Sequence, residues 1–300
     1  MTRLGLATAL VCAVASSAFA QNPKFEFGKA EEVAKVKGTE YEASAEAGIV
    51  FTTGNSETTT FTAGAKASRK TGKNKLSAEG SITYARSGIR VLEDLNGNGE
   101  VDNIDEIRTE STTTAQALAI KVRYDRFLTE FNSLFVAALA SRDLPAGKEN
   151  VLGAQLGYSR QLYKSKTAEA VGEFGYDYAH EDLVAGDAVQ IHSARAFVGF
   201  KADLTEGATF ETSVEALTNL NHETLPTRTF GADFGEDTRV NFKAAVSAKI
   251  GKSTSVQTSI EAKYDNRPAP LSIKGLAMGF VPEASKLDTI MKASFIYTFF

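Results

Sequence analysis

From about residue 41 to its end the chain alternates apolar and polar positions with a period of two. In "YEASAEAGIVF", Tyr41, Ala43, Ala45, Ala47, Ile49 and Phe51 share one face, with Glu42, Ser44, Glu46 and Gly48 on the other. "AEAVGEFGYDY" sets Ala168, Ala170, Gly172, Phe174, Tyr176 and Tyr178 against Glu169, Glu173 and Asp177, and "VNFKAAVSAKI" and "TSVQTSIEAKY" repeat the scheme. Successive side chains of a strand point to opposite faces, so this pattern predicts strands lying between two different environments. About twelve such segments begin near residues 41, 58, 75, 109, 131, 150, 168, 189, 208, 238, 253 and 287. The even-to-odd connections are short ("GKN", "LTE", "YKSK", "TEGA", "GKS"), whereas the odd-to-even ones are mostly long, including 88–107, 220–237 and 267–286. An even number of such segments, with short turns at one end and long loops at the other, marks a transmembrane β-barrel. The expected fold is all-β, a transmembrane antiparallel up-and-down barrel of about 12 strands over residues 41–300. A soluble sandwich or a lipocalin-like barrel also alternates, with its polar face to water. Periodicity alone does not say which face is which.

The two ends of the chain favour the membrane. Residues 1–20, "MTRLGLATALVCAVASSAFA", carry Arg3, an apolar run from Leu4 to Ala15, and Ala18-Phe19-Ala20 in the A-x-A pattern of a signal-peptidase site. A cleaved signal peptide over 1–20 is expected, since the run is too short to span a bilayer as a helix. The only cysteine, Cys12, lies inside it, so the exported chain forms no disulfide. At the other end "MKASFIYTFF" alternates, Ile296 excepted, and finishes on Phe300. A terminal aromatic resembles the signal read by the outer-membrane assembly machinery, although Phe300 falls one residue out of phase with the apolar series ending at Phe299.

Composition adds exclusions. No apolar run after residue 20 approaches the ~18 residues of a membrane helix. There are 33 basic and 37 acidic side chains, net charge −4, and loss of Arg3 makes the mature chain one charge more acidic. That balance leaves no footprint for nucleic acid. Tryptophan is absent, so an interfacial aromatic girdle must be built from Tyr41, Tyr84, Tyr124, Tyr158, Tyr176, Tyr178, Tyr264 and Tyr297 together with Phe. Residues 21–40, "QNPKFEFGKAEEVAKVKGTE", read as a flexible periplasmic lead-in whose helical apolar face is thin.

"GIVFTTGNSETTTFTAGAKASRK", "VRYDRFL", "LGAQLGYSRQLY" and "YDNRPAP…KLDTIMKASFIYTFF" resemble, in that order, segments of the salt-induced outer-membrane protein family, and the similarity covers nearly all of 41–300. The resemblance implies an outer-membrane barrel with no agreed activity, in contact with outer-membrane lipid and delivered by the barrel assembly machinery. Two features depart from it: Tyr41 stands where the family often has Trp, and the stretch 94–105 is not a family feature.

That stretch, "DLNGNGEVDNID", places oxygen-bearing side chains at positions 1, 3, 5, 9 and 12 and Gly99 at position 6, the layout of a calcium loop. Asp94, Asn96, Asn98, Asp102 and Asp105 would give side-chain oxygens and Glu100 its carbonyl, binding Ca2+ weakly because Asp at position 12 reaches less far than Glu. The bland alternative is an acidic, glycine-rich loop that meets a degenerate pattern. On the polar strand faces lie Glu42, Glu46, Lys66, Glu79, Lys121, Arg123, Glu169, Glu173, Asp177, Arg195, Lys201, Asp203, Glu211, Glu215, Lys243, Lys249, Glu261 and Lys263. Mixed signs fit pairing across a narrow lumen better than a selective ring, with a small aqueous pore as the alternative. His180, His192 and His222 form no nucleophile–base arrangement: His192 and Ser193 are neighbours in a strand and face opposite ways. The chain is therefore expected not to be an enzyme; an outer-membrane lipid hydrolase and a surface-binding barrel are the alternatives to a structural or small-solute-channel role.

Overall fold

Twelve antiparallel strands form one closed barrel in which each strand pairs with the next in sequence and β12 returns to β1. They are β1 (Thr39–Thr52), β2 (Thr58–Thr71), β3 (Asn74–Leu92), β4 (Ile107–Phe127), β5 (Asn132–Asp143), β6 (Lys148–Lys164), β7 (Ala168–Leu183), β8 (Val189–Thr205), β9 (Ala208–Asn219), β10 (Thr238–Lys249), β11 (Thr254–Asp265) and β12 (Leu287–Thr298). This computed structural model describes residues 38–52, 58–92, 107–144, 147–184, 187–223, 232–268 and 286–299. The expected signal peptide, most of the 21–40 segment, Phe300 and the whole calcium-type stretch 94–105 lie outside the described residues. Every strand start falls within two residues of the position read from the alternation; β1 begins at Thr39, taking in the end of the expected lead-in.

The alternation becomes an inside and an outside. On β7 the even residues face out, with Phe174 67% exposed, and the odd residues Glu173, Asp177 and Glu181 are buried in the lumen. The same inversion holds on β4, where Leu118, Ile120 and Val122 are exposed and Lys121, Arg123 and Asp125 are buried. Met291 on β12 is 80% exposed while Arg195 on β8 is 0% exposed. A water-soluble barrel would reverse this, and a contiguous apolar belt is too large a patch for a monomer in water. Tyr41, Tyr124, Tyr158 and Tyr297 stand on the outer wall toward the short-turn end, Tyr84 and Tyr264 toward the loop end, all of them exposed.

The turns at the short end are tight. Gly72 sits at φ 53° in the two-residue link from β2 to β3, a conformation that favours glycine. At the other end β3 and β4 run to 19 and 21 residues. Their pairing continues to Leu92↔Ile107, well beyond Ser87, the last β3 residue paired with β2, and Ala117, the first β4 residue paired with β5. The seam is the weakest join: β1 and β12 share four register pairs, Ser44↔Thr298 to Ala47↔Phe295, whereas β1 and β2 share fourteen. Phe299 N–H donates to the Ala43 carbonyl at 3.0 Å and extends that seam to the end of the described chain.

Candidate functional site: the charged lumen

Two guanidiniums and three carboxylates run in series along one side of the lumen. Arg123 on β4 donates from Nη1 and Nη2 to Glu173 on β7 at 3.1 and 2.7 Å, and to Asp125 at 2.7 to 3.1 Å. Arg195 on β8 takes the other side of Glu173 at 2.9 Å and reaches Glu215 on β9 at 2.6 Å. Asn241 on β10 donates to the second Glu215 oxygen at 3.1 Å. Above this series Lys121 donates to Gln155 at 2.7 Å, and Gln155 in turn donates to Asp177 at 2.7 Å. A buried charge is tolerated only when paired, and here each cation meets at least one hydrogen-bonded acceptor.

Local sequence makes room for this. Gly157 on β6 and Gly175 on β7 are register partners that face the lumen. A Cβ on Gly175 would stand 2.3 Å from the Leu156 carbonyl oxygen and 2.8 Å from the Gly157 Cα, and one on Gly157 would meet Phe135 Cζ at 2.8 Å. The missing side chains leave a recess that the Phe135 ring fills from β5. Arg123 lies 4.0 Å and Arg195 5.6 Å from that ring's centroid, a cation–π platform that fixes both guanidiniums. Arg123 thus reaches Glu173 across two intervening strands because the wall between them is a pair of glycines carpeted by one aromatic.

The opposite wall holds simpler pairs, Lys70–Glu42 at 3.1 Å, Lys292–Glu46 across the seam at 2.8 Å and Lys243–Glu261 at 3.2 Å, and the half-exposed Lys201–Glu211 pair at 3.0 Å lies below the arginine series on β8 and β9. At the loop end Glu181 on β7 accepts from Lys148 at 3.0 Å and, across two intervening strands, from Arg239 on β10 at 3.0 Å; Arg239 also reaches Asp237 at 3.2 Å. The stem of the β9–β10 connection is folded down here. Asn219, fully buried, donates to the Asn221 and Asp233 carbonyls and accepts from the Asp237 N–H, and Glu223 bridges Ala232 through the backbone.

Most of the polar positions read from the sequence therefore meet in one lumen, and the expected pairing of mixed charges is what joins them. Asp125, Gln155, Glu181, Asp237 and Arg239 were missed. All but Gln155 lie at or beyond strand ends, where a parity rule applied two residues further would have found them. Phe135 was masked by "LFVAALA", which is apolar on both faces. The histidines stay apart: His192 meets the Tyr176 hydroxyl, His180 lies 3.3 Å from Asp182, and His222 pairs with Asp233 at 2.8 Å on the surface. Ser193 points into the lumen, opposite to His192. Among the described residues no group of three or more His, Cys, Asp or Glu is placed to hold a metal ion; Asp94, Asn96, Asn98, Glu100, Asp102 and Asp105 are not among them.

No curated protein matches this sequence. Similar solved structures include the NanC porin (10% identity, TM-score 0.40, covering 86% of this chain and 97% of that one). The translocator domain of the autotransporter NalP from Neisseria meningitidis has 12% identity and TM-score 0.39, covering 90% and 92%. A TodX mutant described as a monoaromatic hydrocarbon channel has 8% identity and TM-score 0.41, covering 94% and 95%. Scores below 0.5 at these identities carry no argument about function; the closed barrel is read from the strand pairing itself. The sequence match is firmer, and over residues 45–299 it shows that the chain belongs to the family described as "Protein of unknown function, DUF481".

Proposed function

We propose that the chain is an integral barrel of the bacterial outer membrane with a structural or small-solute-channel role, its lumen held nearly closed by ion pairs. The observation that carries this reading is the inversion of burial: large apolar side chains stand outside while Lys121, Arg123, Asp125 and Arg195 are at most 3% exposed inside. Lipid is the solvent that favours such an outer wall, and a closed barrel satisfies the backbone within it. The A-x-A pattern of Ala18-Phe19-Ala20 supports export. The reading includes no catalytic step, and lipid hydrolysis by the purified protein would overturn that part. Kinship with the salt-induced outer-membrane proteins belongs to the same proposal, and is checked by following the protein's abundance as the salt of the medium is raised.

Single-channel recording of the refolded chain in planar bilayers is the test. Rare, small steps are the expected result; large, continuous conductance would show that the ion pairs do not close the lumen. We also propose that the stretch 94–105, in the connection between β3 and β4, binds Ca2+ weakly and is ordered by it. Calorimetric titration should give a heat that is lost on Asp94→Ala; an identical heat from that variant would refute the site.

A further inference from the structure

The β9–β10 connection brings two carboxylates together at the barrel mouth, outside the strands. Glu223 and Asp237 are only 2% and 4% exposed, and neither Glu223 oxygen nor Asp237 Oδ1 accepts a hydrogen bond from any described residue. Both side chains line one small cavity with Glu181, Asp265, Arg239 and Arg267. Buried carboxylate oxygens without donors demand a positive charge of some kind. The cationic groups lining the cavity are already engaged, Arg239 with Glu181 and Asp237 Oδ2, and Arg267 with Glu236 at 3.0 Å; Lys148, outside the lining, is held by Glu181. Two acids with an arginine already on one of them form a poor site for a divalent ion, which wants many oxygens around it. A single proton needs only the two facing oxygens.

We propose that Glu223 and Asp237 share one proton as a carboxyl–carboxylate latch that joins the two stem segments of the β9–β10 connection, 220–223 and 232–237, at the mouth of the barrel, and that loss of this proton lets the stem part. The shared O–H donates to the partner carboxylate; when it leaves to water, two like charges face each other in a cavity that also holds Glu181 and Asp265. Burial, and next the Asp237 carboxylate, push the Glu223 carboxyl from its ordinary 4.5 up to about 8, and burial also raises Asp237. The sign follows. The closed loop binds the proton more tightly than the open one, so closure has its full advantage below about 4.5 and loses it as pH rises to about 8. For one proton the closed-to-open ratio falls up to ~10-fold per pH unit in that window and is flat above it. His222, on the same connection, pairs with Asp233 at the surface, and Glu236 beside them pairs with Arg267; His222 is replaced as a control.

The latch rests on the barrel reading only for its consequence, the opening of the mouth, and is tested separately from conduction. The full chain with Cys12→Ser, Phe234→Cys and Glu130→Cys carries spin labels on the exposed loop and on the β4–β5 turn at the far end, and is refolded into vesicles. Dipolar distances are recorded from pH 5 to pH 9. The expected result is one population at pH 5 and a second, longer population that dominates above pH 8. Glu223→Gln, whose amide donates to Asp237 without titrating, should keep the short distance throughout, and Asp237→Asn should do the same. His222→Gln should behave as the parent. Equal distributions at pH 5 and pH 9, loss of the shift in His222→Gln, or release at pH 5 on adding EDTA would each overturn the proposal. A distance shift without current would leave the latch standing and remove the channel reading instead.

Discussion

Glu173→Gln probes the centre of the lumen with almost no change of shape. The carboxylate is buried and accepts three hydrogen bonds, two from Arg123 and one from Arg195, at 2.7 to 3.1 Å. Neutralising it leaves two guanidiniums over the same Phe135 ring, with Asp125 on one and Glu215 on the other as remaining carboxylate contacts. Removing one partner of a buried, hydrogen-bonded pair costs about 3–5 kcal/mol, whereas a solvated pair is worth about 0–1 kcal/mol. The two cases are far enough apart to separate. Equilibrium urea unfolding in lipid vesicles, followed by circular dichroism because the chain has no tryptophan, should place the variant near the upper range. Arg195→Met should cost a similar amount. The double variant should cost less than the sum by about 1–3 kcal/mol, since the Glu173–Arg195 contact is counted in both single changes and lost only once in the double. A loss below about 1 kcal/mol for Glu173→Gln, or additivity in the cycle, would mean that water fills the lumen between these groups, and the argument for a nearly closed barrel would fail.

Gly175→Ala should destabilise the barrel by about 1–3 kcal/mol or prevent its refolding, because the new Cβ meets backbone of β6 rather than a movable side chain; a silent change in the same urea assay would refute the recess. Asn219→Ala removes the donors to the Asn221 and Asp233 carbonyls and should cost about 1–3 kcal/mol locally, seen as faster amide exchange at Gly235 and Asp237 with the strand amides of β4–β7 unaffected. Lys292→Met breaks the pair with Glu46 that crosses the four-residue seam, and amide exchange in Ser44–Ala47 should accelerate before any other strand. Uniform acceleration around the barrel would show that the seam is no weaker than the other joins.

The strands were legible because a barrel wall has one rule, apolar out and polar in, which most strands obey over their central residues, β5 with its inward Phe135 and Ala137 excepted. Sorting the connections by length supplied the order in which the strands must turn back. What alternation does not carry is the third dimension of the lumen. Arg123 and Glu173 are fifty residues apart and lie on strands that never pair, so no pattern along the chain joins them. Their meeting depends on side-chain volume: two glycines where their neighbours have larger groups, and one phenylalanine on the face expected to be polar. Each of these three residues reads as an imperfection in its own strand. Taken together at one level of a closed barrel they form a recess, a floor and two fixed cations, so the breaks in a barrel's alternation are where its interior chemistry should be sought.

The β9–β10 latch illustrates the same point from the loop side. Glu223 and Asp237 sit in a stretch that reads as a long, polar outer loop, where an acidic residue ordinarily means solvent. Their burial follows from Asn219, whose one side chain satisfies one backbone group of the outgoing limb and two of the returning limb and so folds the stem inward over the mouth. A carboxylate carried inward by such a stem meets the rim charges Glu181, Arg239 and Asp265 rather than water. That difference is chemical as well as geometric: in solvent the acid is a permanent charge, and in the mouth it becomes a group whose charge depends on pH. The same substitution, Glu223→Gln, should therefore be almost neutral to barrel stability at pH 5 and progressively stabilising to the closed loop as the pH is raised toward 8. A Glu223→Gln effect that did not grow with pH would place the carboxylate back in water and remove the loop from the mouth.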